Sequence, residues 1–256
     1  MQLTFAYQHI NYSFQSEQPV DISLSLRNGT DNPNCYYADP VQFETIRSGD
    51  FIGDVAEGGS CNHKKIILTP HGNGTHTECY GHISADKEAT IENCLQEYLF
   101  FAQVISVSPK PGNGTDQVIT LQDVQQKMEA IKPEALIIRT LPNTESKRTR
   151  QYSGTNPPYL ESLLTAYLAE VLEVKHLIID LPSVDKEIDG GLLIAHKTFW
   201  QYPAHTRKHC TITELAYIPE HVEDNYYLLN LQILNIHLDA SPSKPVLYKL
   251  EKLSTN

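Results

Sequence analysis

The chain has 256 residues, 40% of them hydrophobic, enough to bury a substantial core without disulfide support. Its 20 Lys+Arg against 31 Asp+Glu leave a formal charge of -11, so it lacks the basic footprint that nucleic acid or an anionic membrane surface requires. Five scattered cysteines with no CxxC pair do not form the regular framework of a disulfide-stapled secreted domain.

The opening Met1-Gln2-Leu3-Thr4-Phe5 carries neither a basic n-region nor a sustained apolar run, and no stretch is apolar for long enough to span a bilayer. A cytoplasmic protein is expected, with the sequons at Asn11, Asn28, Asn73 and Asn113 serving as turn chemistry. Thr4–Tyr7 and Tyr12–Phe14 read as short strands, and Asp21–Leu26 alternates with the period of a half-buried strand. Residues 28–50 read as loop, broken by Asn-Gly, Asn-Pro and Asp-Pro. Tyr36 and Tyr37 lie in that loop, either against a substrate or packed as a satellite cluster. Lys65–Leu68 is a short apolar strand leading into a histidine-rich segment, and Thr90–Tyr98 reads as helical. Phe100–Val107 and Ala135–Arg139 read as strands, separated by a helix over Leu121–Ile131 capped by Thr120 and ended by Pro133. Tyr159–Val174 shows the clearest helical stripe, through Leu160, Leu163, Leu164, Tyr167, Leu168, Val171 and Leu172. Strands follow at Leu177–Asp180, Thr211–Leu215, Tyr226–Ile233 and Pro245–Leu250. With no repeat, low-complexity tract or linker, residues 1–256 read as one α/β or α+β domain.

Chemistry concentrates in His71-Gly72-Asn73-Gly74-Thr75-His76-Thr77-Glu78-Cys79-Tyr80-Gly81-His82. His76 and Glu78 are two apart, so an extended backbone puts both on one side. Glycines let the loop fold tightly enough to converge ligands. Imidazole with carboxylate suits Zn²⁺, Mn²⁺ or Fe²⁺. Further donors are available at Asp180, Asp185, His196, His205, His209 and Glu214. Glu214 sits in an alternating strand, where a carboxylate is costly unless paired or bound. His196 follows the apolar Leu192-Leu193-Ile194-Ala195, which holds it inward. For each of these two, ordinary hydrogen bonding is as good an account as ligation.

The segment resembles the His-x-Gly-Thr-His-x-Asp-x-Pro-x-His signature of the cyclase family of metal-dependent hydrolases, which includes bacterial kynurenine formamidase and isatin hydrolase. Gly74-Thr75-His76 and His82 fit it directly. Asp21-Ile22-Ser23, Asp180, Ser183-Val184-Asp185, Ala195-His196, Ile212-Thr213-Glu214 and Ala240–Leu247 add matches along most of the chain. The resemblance implies the family's swivelling β/β/α fold, a homodimer or larger homo-oligomer, and one or two Zn or Mn ions. It implies His71, His76, Glu78, His196 and Glu214 as ligands, the last two from distant strands, and His82 as proton shuttle or second-metal ligand. The implied activity is hydrolysis of an amide, formamide or cyclic amide in a small-molecule substrate by metal-activated water. Cyclisation or dehydration would need the same ligands, and a catalytically silent metal- or small-molecule-binding protein is the rival. Tyr36, Tyr37, Phe199 and Trp200 would wall the substrate pocket, with core packing as the equal alternative.

Three departures separate this sequence from the signature. Four residues rather than three lie between His71 and His76, so His71 must reach in through a one-residue bulge while Gly72 holds the usual ligand position. Glu78 replaces the aspartate, and Cys79-Tyr80-Gly81 replaces the proline-bearing segment. Phe199–His209 reads as an insertion between His196 and Glu214.

Overall fold

The computed structural model describes residues 1–253; the last three residues of the expected domain lie outside the described ones. Seven strands close into a ring: β1 (His76–Glu78), β2 (Leu99–Val107), β3 (Ala135–Thr140), β4 (His176–Ile179), β5 (Thr211–Glu214), β6 (Asn225–Ile233) and β7 (Ala240–Lys249). The order around the ring is β6-β2-β3-β4-β5-β1-β7, and β7 pairs with β6 to close it. β2 through β5 are parallel, whereas β1, β6 and β7 pair antiparallel with their neighbours. The mixed α/β architecture expected from the sequence is therefore present, with few helices.

β3 and β4 read as continuous apolar runs because both of their faces are covered. Leu136-Ile137-Ile138 in β3 and Leu177-Ile178-Ile179 in β4 are fully buried. A second, aromatic cluster joins the Gln2–Tyr7 and Ile10–Gln15 hairpin to the ring, where Tyr7 stacks on Phe101 at 4.2 Å between centroids. Gln42–Thr45 and Lys64–Ile67 pair as a separate two-stranded arm, and all four residues of the second strand are exposed. The first of these lies in the stretch the sequence reads as loop.

The helices are shorter than their sequence patterns predict. Only Ile91–Cys94 of the Thr90–Tyr98 run is helical. Thr120 does cap its helix, with Asp123 completing a capping box, but that helix stops at Gln125. Tyr159–Leu160 pairs in parallel with Val118–Ile119, so the long helix begins only at Ser162 and ends at Glu170. Leu163 and Val171 of its apolar stripe face solvent. Over Asp21–Leu26 only Asp21 is strand, paired with β7. Ser23 N–H then bonds Asp21 Oδ1 (2.9 Å), which turns the backbone out of the ladder. Ile22 and Leu24 nonetheless stay buried, and Leu24 N–H donates to Thr75 Oγ1 (2.9 Å), tying the segment to the histidine-rich loop.

Candidate metal centre

β1 is three residues long and hydrogen-bonded along both edges, to β5 and to β7. His76 is directly opposite Glu214 in the β5 ladder, and Glu78 follows two residues later, so the three side chains share one face. The other face is closed by Thr77 and Thr213, whose hydroxyls lie 2.7 Å apart.

His71 reaches this face from α1 (Pro70–Asn73), a single helical turn opened by proline. The additional residue before His76 is taken up by that turn and not by the bulge expected from the spacing. Gly72, at the signature's usual ligand position, packs so closely that an added Cβ would collide with Ala38 Cβ. Backbone proximity, not ligation, selects glycine there. Gly81 is constrained similarly, because an added Cβ would overlap the Ala89 carbonyl. That packing holds the turn over Tyr80–Ile83 that presents His82.

His196 comes from α2 (Ile194–Trp200), a helix, where the resemblance implied a strand. Its position is set by Asp185, whose carboxylate accepts from the N–H groups of Ala195 (2.8 Å) and His196 (3.1 Å) and contacts His196 Nδ1 at 2.6 Å. Asp185 thus acts at the first turn of α2 and on the ring at once.

One pattern runs through the histidines. His196 has Nδ1 on Asp185 and Nε2 2.9 Å from Glu78 Oε1. His71 has Nε2 on Asp239 Oδ2 (2.8 Å) and Nδ1 3.1 Å from Glu78 Oε2. His76 has Nδ1 2.9 Å from the Gly74 carbonyl and Nε2 3.5 Å from Glu214 Oε2. In each case one nitrogen is fixed by an outer partner and the other faces the carboxylates. His82 Nδ1 lies 3.4 Å from Asp239 Oδ2 and 3.7 Å from Glu78 Oε2. Glu214 Oε1 accepts from Val184 N–H (2.9 Å).

The electrostatics follow from crowding these groups in a buried place. Burial raises the Glu78 carboxyl, but the adjacent His82 and His196 outweigh it and hold the group well below the usual carboxylate range. Burial alone would lower His71 and His196; hydrogen bonds and charge from Asp239 and Glu78 push His71 up to about 10, and Glu78, Asp185 and Glu214 push His196 up to about 10. Hydrogen bonds from His71 and His82 depress Asp239.

The donors fit a divalent ion. His71, His76 and Glu78 form one group whose ligand atoms all lie within 4.8 Å of one another; Glu78, His82 and His196 form a second, and His71, His82 and Asp239 a third. Glu78, His71 and His82 each belong to two of these groups, so the three sets overlap. His76 Nε2 and Glu78 Oε2 are fully buried and make no well-aligned hydrogen bond, with Glu214 Oε2 at 3.5 Å from the first and His71 Nδ1 at 3.1 Å from the second. Buried polar atoms are seldom left unpaired, and two facing inward from a His/Glu set match the ligand chemistry of Zn²⁺ or Mn²⁺.

A cavity of about 310 Å³ opens over the cluster, lined by Tyr36, His71, His82, Ser183, Lys186 and Leu193 among others. Of the four aromatics expected to wall it, only Tyr36 does so. Tyr37 is 80% exposed, bonded through its N–H to Ser153, and does not line the cavity. Phe199 and Trp200 are 0% exposed and belong to the hydrophobic core. They sit three and four residues after His196, on the inner face of α2, and Trp200 Nε1 donates to the Cys210 carbonyl (2.9 Å). Among the available donors, Asp180 is committed elsewhere: fully buried, it accepts from Lys147 Nζ (2.7 Å) and from Thr140 N–H (2.9 Å). His205, His209 and Glu214 also lie outside the ligand groups, although Glu214 stays within 3.5 Å of His76 Nε2 and 3.8 Å of His196 Nε2.

Sequence reasoning missed Asp239. Its only signal is position, an acid immediately before the Ala240–Leu247 match.

A family model described as "Putative cyclase" matches residues 20–186. No curated protein gives a significant sequence match. Among solved structures, the chain is similar to isatin hydrolase A from Labrenzia aggregata bound to benzyl benzoate, with a TM-score of 0.68 and 14% identity, covering 90% of this chain and 93% of that one. It is similar also to a "potential metal-dependent hydrolase with cyclase activity" (TM-score 0.65, 16% identity, 90% and 97% covered). A third similar structure is a "predicted metal-dependent hydrolase" from Bacillus stearothermophilus (TM-score 0.61, 16% identity, 90% and 98% covered). At these identities the likeness establishes a common fold. Among the described residues, no helix is long and apolar enough to cross a membrane.

Proposed function

The chain belongs to the cyclase family, and on that premise we propose that it is a metal-dependent hydrolase of an amide, formamide or cyclic amide bond. The observation that carries this reading is the pair of buried atoms without a well-aligned hydrogen bond, His76 Nε2 and Glu78 Oε2, within a cluster of imidazoles and carboxylates. His71, His76, Glu78, His196 and Glu214 would hold the ion, with Asp239 and Asp185 orienting two of the rings. A divalent ion bound there supplies Lewis acidity, polarising a carbonyl and lowering the pKa of water.

The chain's own residues supply position and proton transfer. His82 borders the cavity with Nδ1 towards Asp239 and Glu78, which leaves Nε2 for the substrate side. In this reading Nε2 accepts a proton from the attacking water and delivers it to the leaving nitrogen as the carbon–nitrogen bond breaks. One water is consumed and one proton is relayed. Tyr36 and Leu193 provide apolar surface for the substrate body.

The test is metal content together with turnover. Elemental analysis after growth with Zn and Mn is expected to find metal in the wild type and none in His76→Ala, which also loses hydrolysis. A wild type holding less than about a tenth of an equivalent would sink the metal assignment. Tight metal binding without cleavage of N-formylanilines, isatin-like lactams or small lactones would instead favour a binding protein on the same fold.

A further inference from the structure

The cavity over the metal cluster is bordered by four carboxylates and one lysine, and their hydrogen bonding is unequal. Asp185 is used by α2 and by His196. Glu187 accepts from the N–H groups of Gly154 (2.5 Å) and Asn156 (3.0 Å). Asp189 accepts from Gly191 N–H (2.7 Å) and Leu193 N–H (2.6 Å). Glu214 is held by Val184 N–H and faces His76. These acids hold backbone turns and a ring in place.

Lys186 differs. Its ammonium makes one bond, to Asp116 Oδ2 at 2.8 Å, and its side chain is 36% exposed. Asp116 is itself buried and fixed by Asn156 Nδ2 (3.0 Å) and Tyr159 OH (3.1 Å). An ammonium has three protons to donate; one is used to anchor it and two have no protein partner, on a residue that borders the cavity. A long flexible cation is thereby held in one place before any ligand arrives, which reduces the entropy cost of using it. The hydrogen bond to Asp116 also raises the Lys186 pKa, so the group stays charged.

We propose that Lys186 is a specificity-determining residue that receives an anionic group, a carboxylate, on the substrate, while Tyr36 and Leu193 contact its apolar body. The substrate class is then an amide, formamide or cyclic amide that also bears a carboxylate. This rests on the hydrolase reading above.

The test pairs N-formylanilines carrying a ring carboxylate at the ortho, meta or para position with their methyl esters, using metal-loaded protein. The wild type should favour the best-placed acid over its ester by roughly tenfold in kcat/KM, the scale of a charge-assisted hydrogen bond at a partly exposed site. Lys186→Met should bring that ratio close to one, mainly through KM, and Lys186→Arg should keep most of it. Should the methionine variant fail to fold, Lys186→Gln replaces it. An unchanged ratio in the neutral variant, or a wild type that prefers the esters, overturns the proposal. Calorimetric binding of the same pairs makes the comparison without turnover. A wild type that binds acids more tightly than esters through Lys186, yet cleaves neither, upholds the carboxylate site and overturns the hydrolase reading. Cleavage that favours the esters does the reverse.

Discussion

His196 Nδ1 lies 2.6 Å from Asp185 Oδ2, and that single contact decides which ring nitrogen faces Glu78. The same carboxylate accepts from two N–H groups in the first turn of α2, so the helix and the ring are set by one residue. Asp185→Asn cannot accept from three donors equally well. Metal affinity should fall by roughly 10- to 100-fold, the usual cost of losing a group that orients a metal-binding histidine. Titration of metal-free protein with Zn²⁺ measures this, and an unchanged affinity would remove Asp185 from the account.

Trp200 provides a separate test of what the aromatics beside His196 do. Because it is fully buried, Trp200→Ala should cost about 3–5 kcal/mol of stability. Trp200→Phe, which keeps most of the volume, should leave relative rates across a substrate panel unchanged. A shift in substrate preference with Trp200→Phe would place the indole at the pocket after all.

The buried Lys147–Asp180 pair should matter to stability and not to metal. Burial raises the Asp180 pKa, and Lys147 and Thr140 counter that rise. Lys147→Met leaves the carboxylate buried without its cation, a change expected to destabilise by roughly 3–5 kcal/mol. Metal stoichiometry of the folded variant should be unchanged. Chemical denaturation and elemental analysis check the two halves, and loss of metal would bring Asp180 back into the site.

A pH dependence follows from His176, which lies 2.7 Å from Thr211 Oγ1 through Nδ1. Burial, reinforced by the charges of Lys175 and Arg207, pulls its pKa down to about 3 from an ordinary 6.5. The unfolded chain therefore takes up a proton below pH 6.5 while the folded chain stays neutral. This contribution to stability is present above 6.5 and is lost as pH falls towards about 3. Each pH unit in that window is worth about 1.4 kcal/mol at most. His176→Asn should flatten the fall between pH 7 and 5 seen by urea denaturation, and parallel curves for variant and wild type would contradict it.

Much of the site could be read from residue order because its centre is local. His76 and Glu78 are two apart in a strand, which puts them on one side, and Glu214 is a carboxylate in an alternating strand, where it is costly unless paired or bound. β3 and β4 were legible for a different reason, as unbroken apolar runs. Asp239 was not legible, since its value depends on β7 closing beside β1, and no local pattern encodes that pairing. His71 was legible as a donor but its route was not, because a proline-led turn absorbed the extra residue. For Phe199 and Trp200 the sequence left pocket wall and core packing as equal alternatives; helical spacing from His196 places them on the buried face, and core packing is what the structure has. The helices were over-extended because apolar residues that looked like a stripe were recruited into strand pairing at Tyr159–Leu160 or left in solvent at Leu163 and Val171.

β1 owes its place to two neighbours that are synthesised far later than itself. It has three residues, and its edges are satisfied only by β5, beginning at Thr211, and β7, beginning at Ala240. A chain still emerging from the ribosome carries His76 and Glu78 long before either partner exists. The donor arrangement described is therefore completed only once β7 is in place. A chain that ends before Ala240 lacks one of the two edges that seat His76 and Glu78.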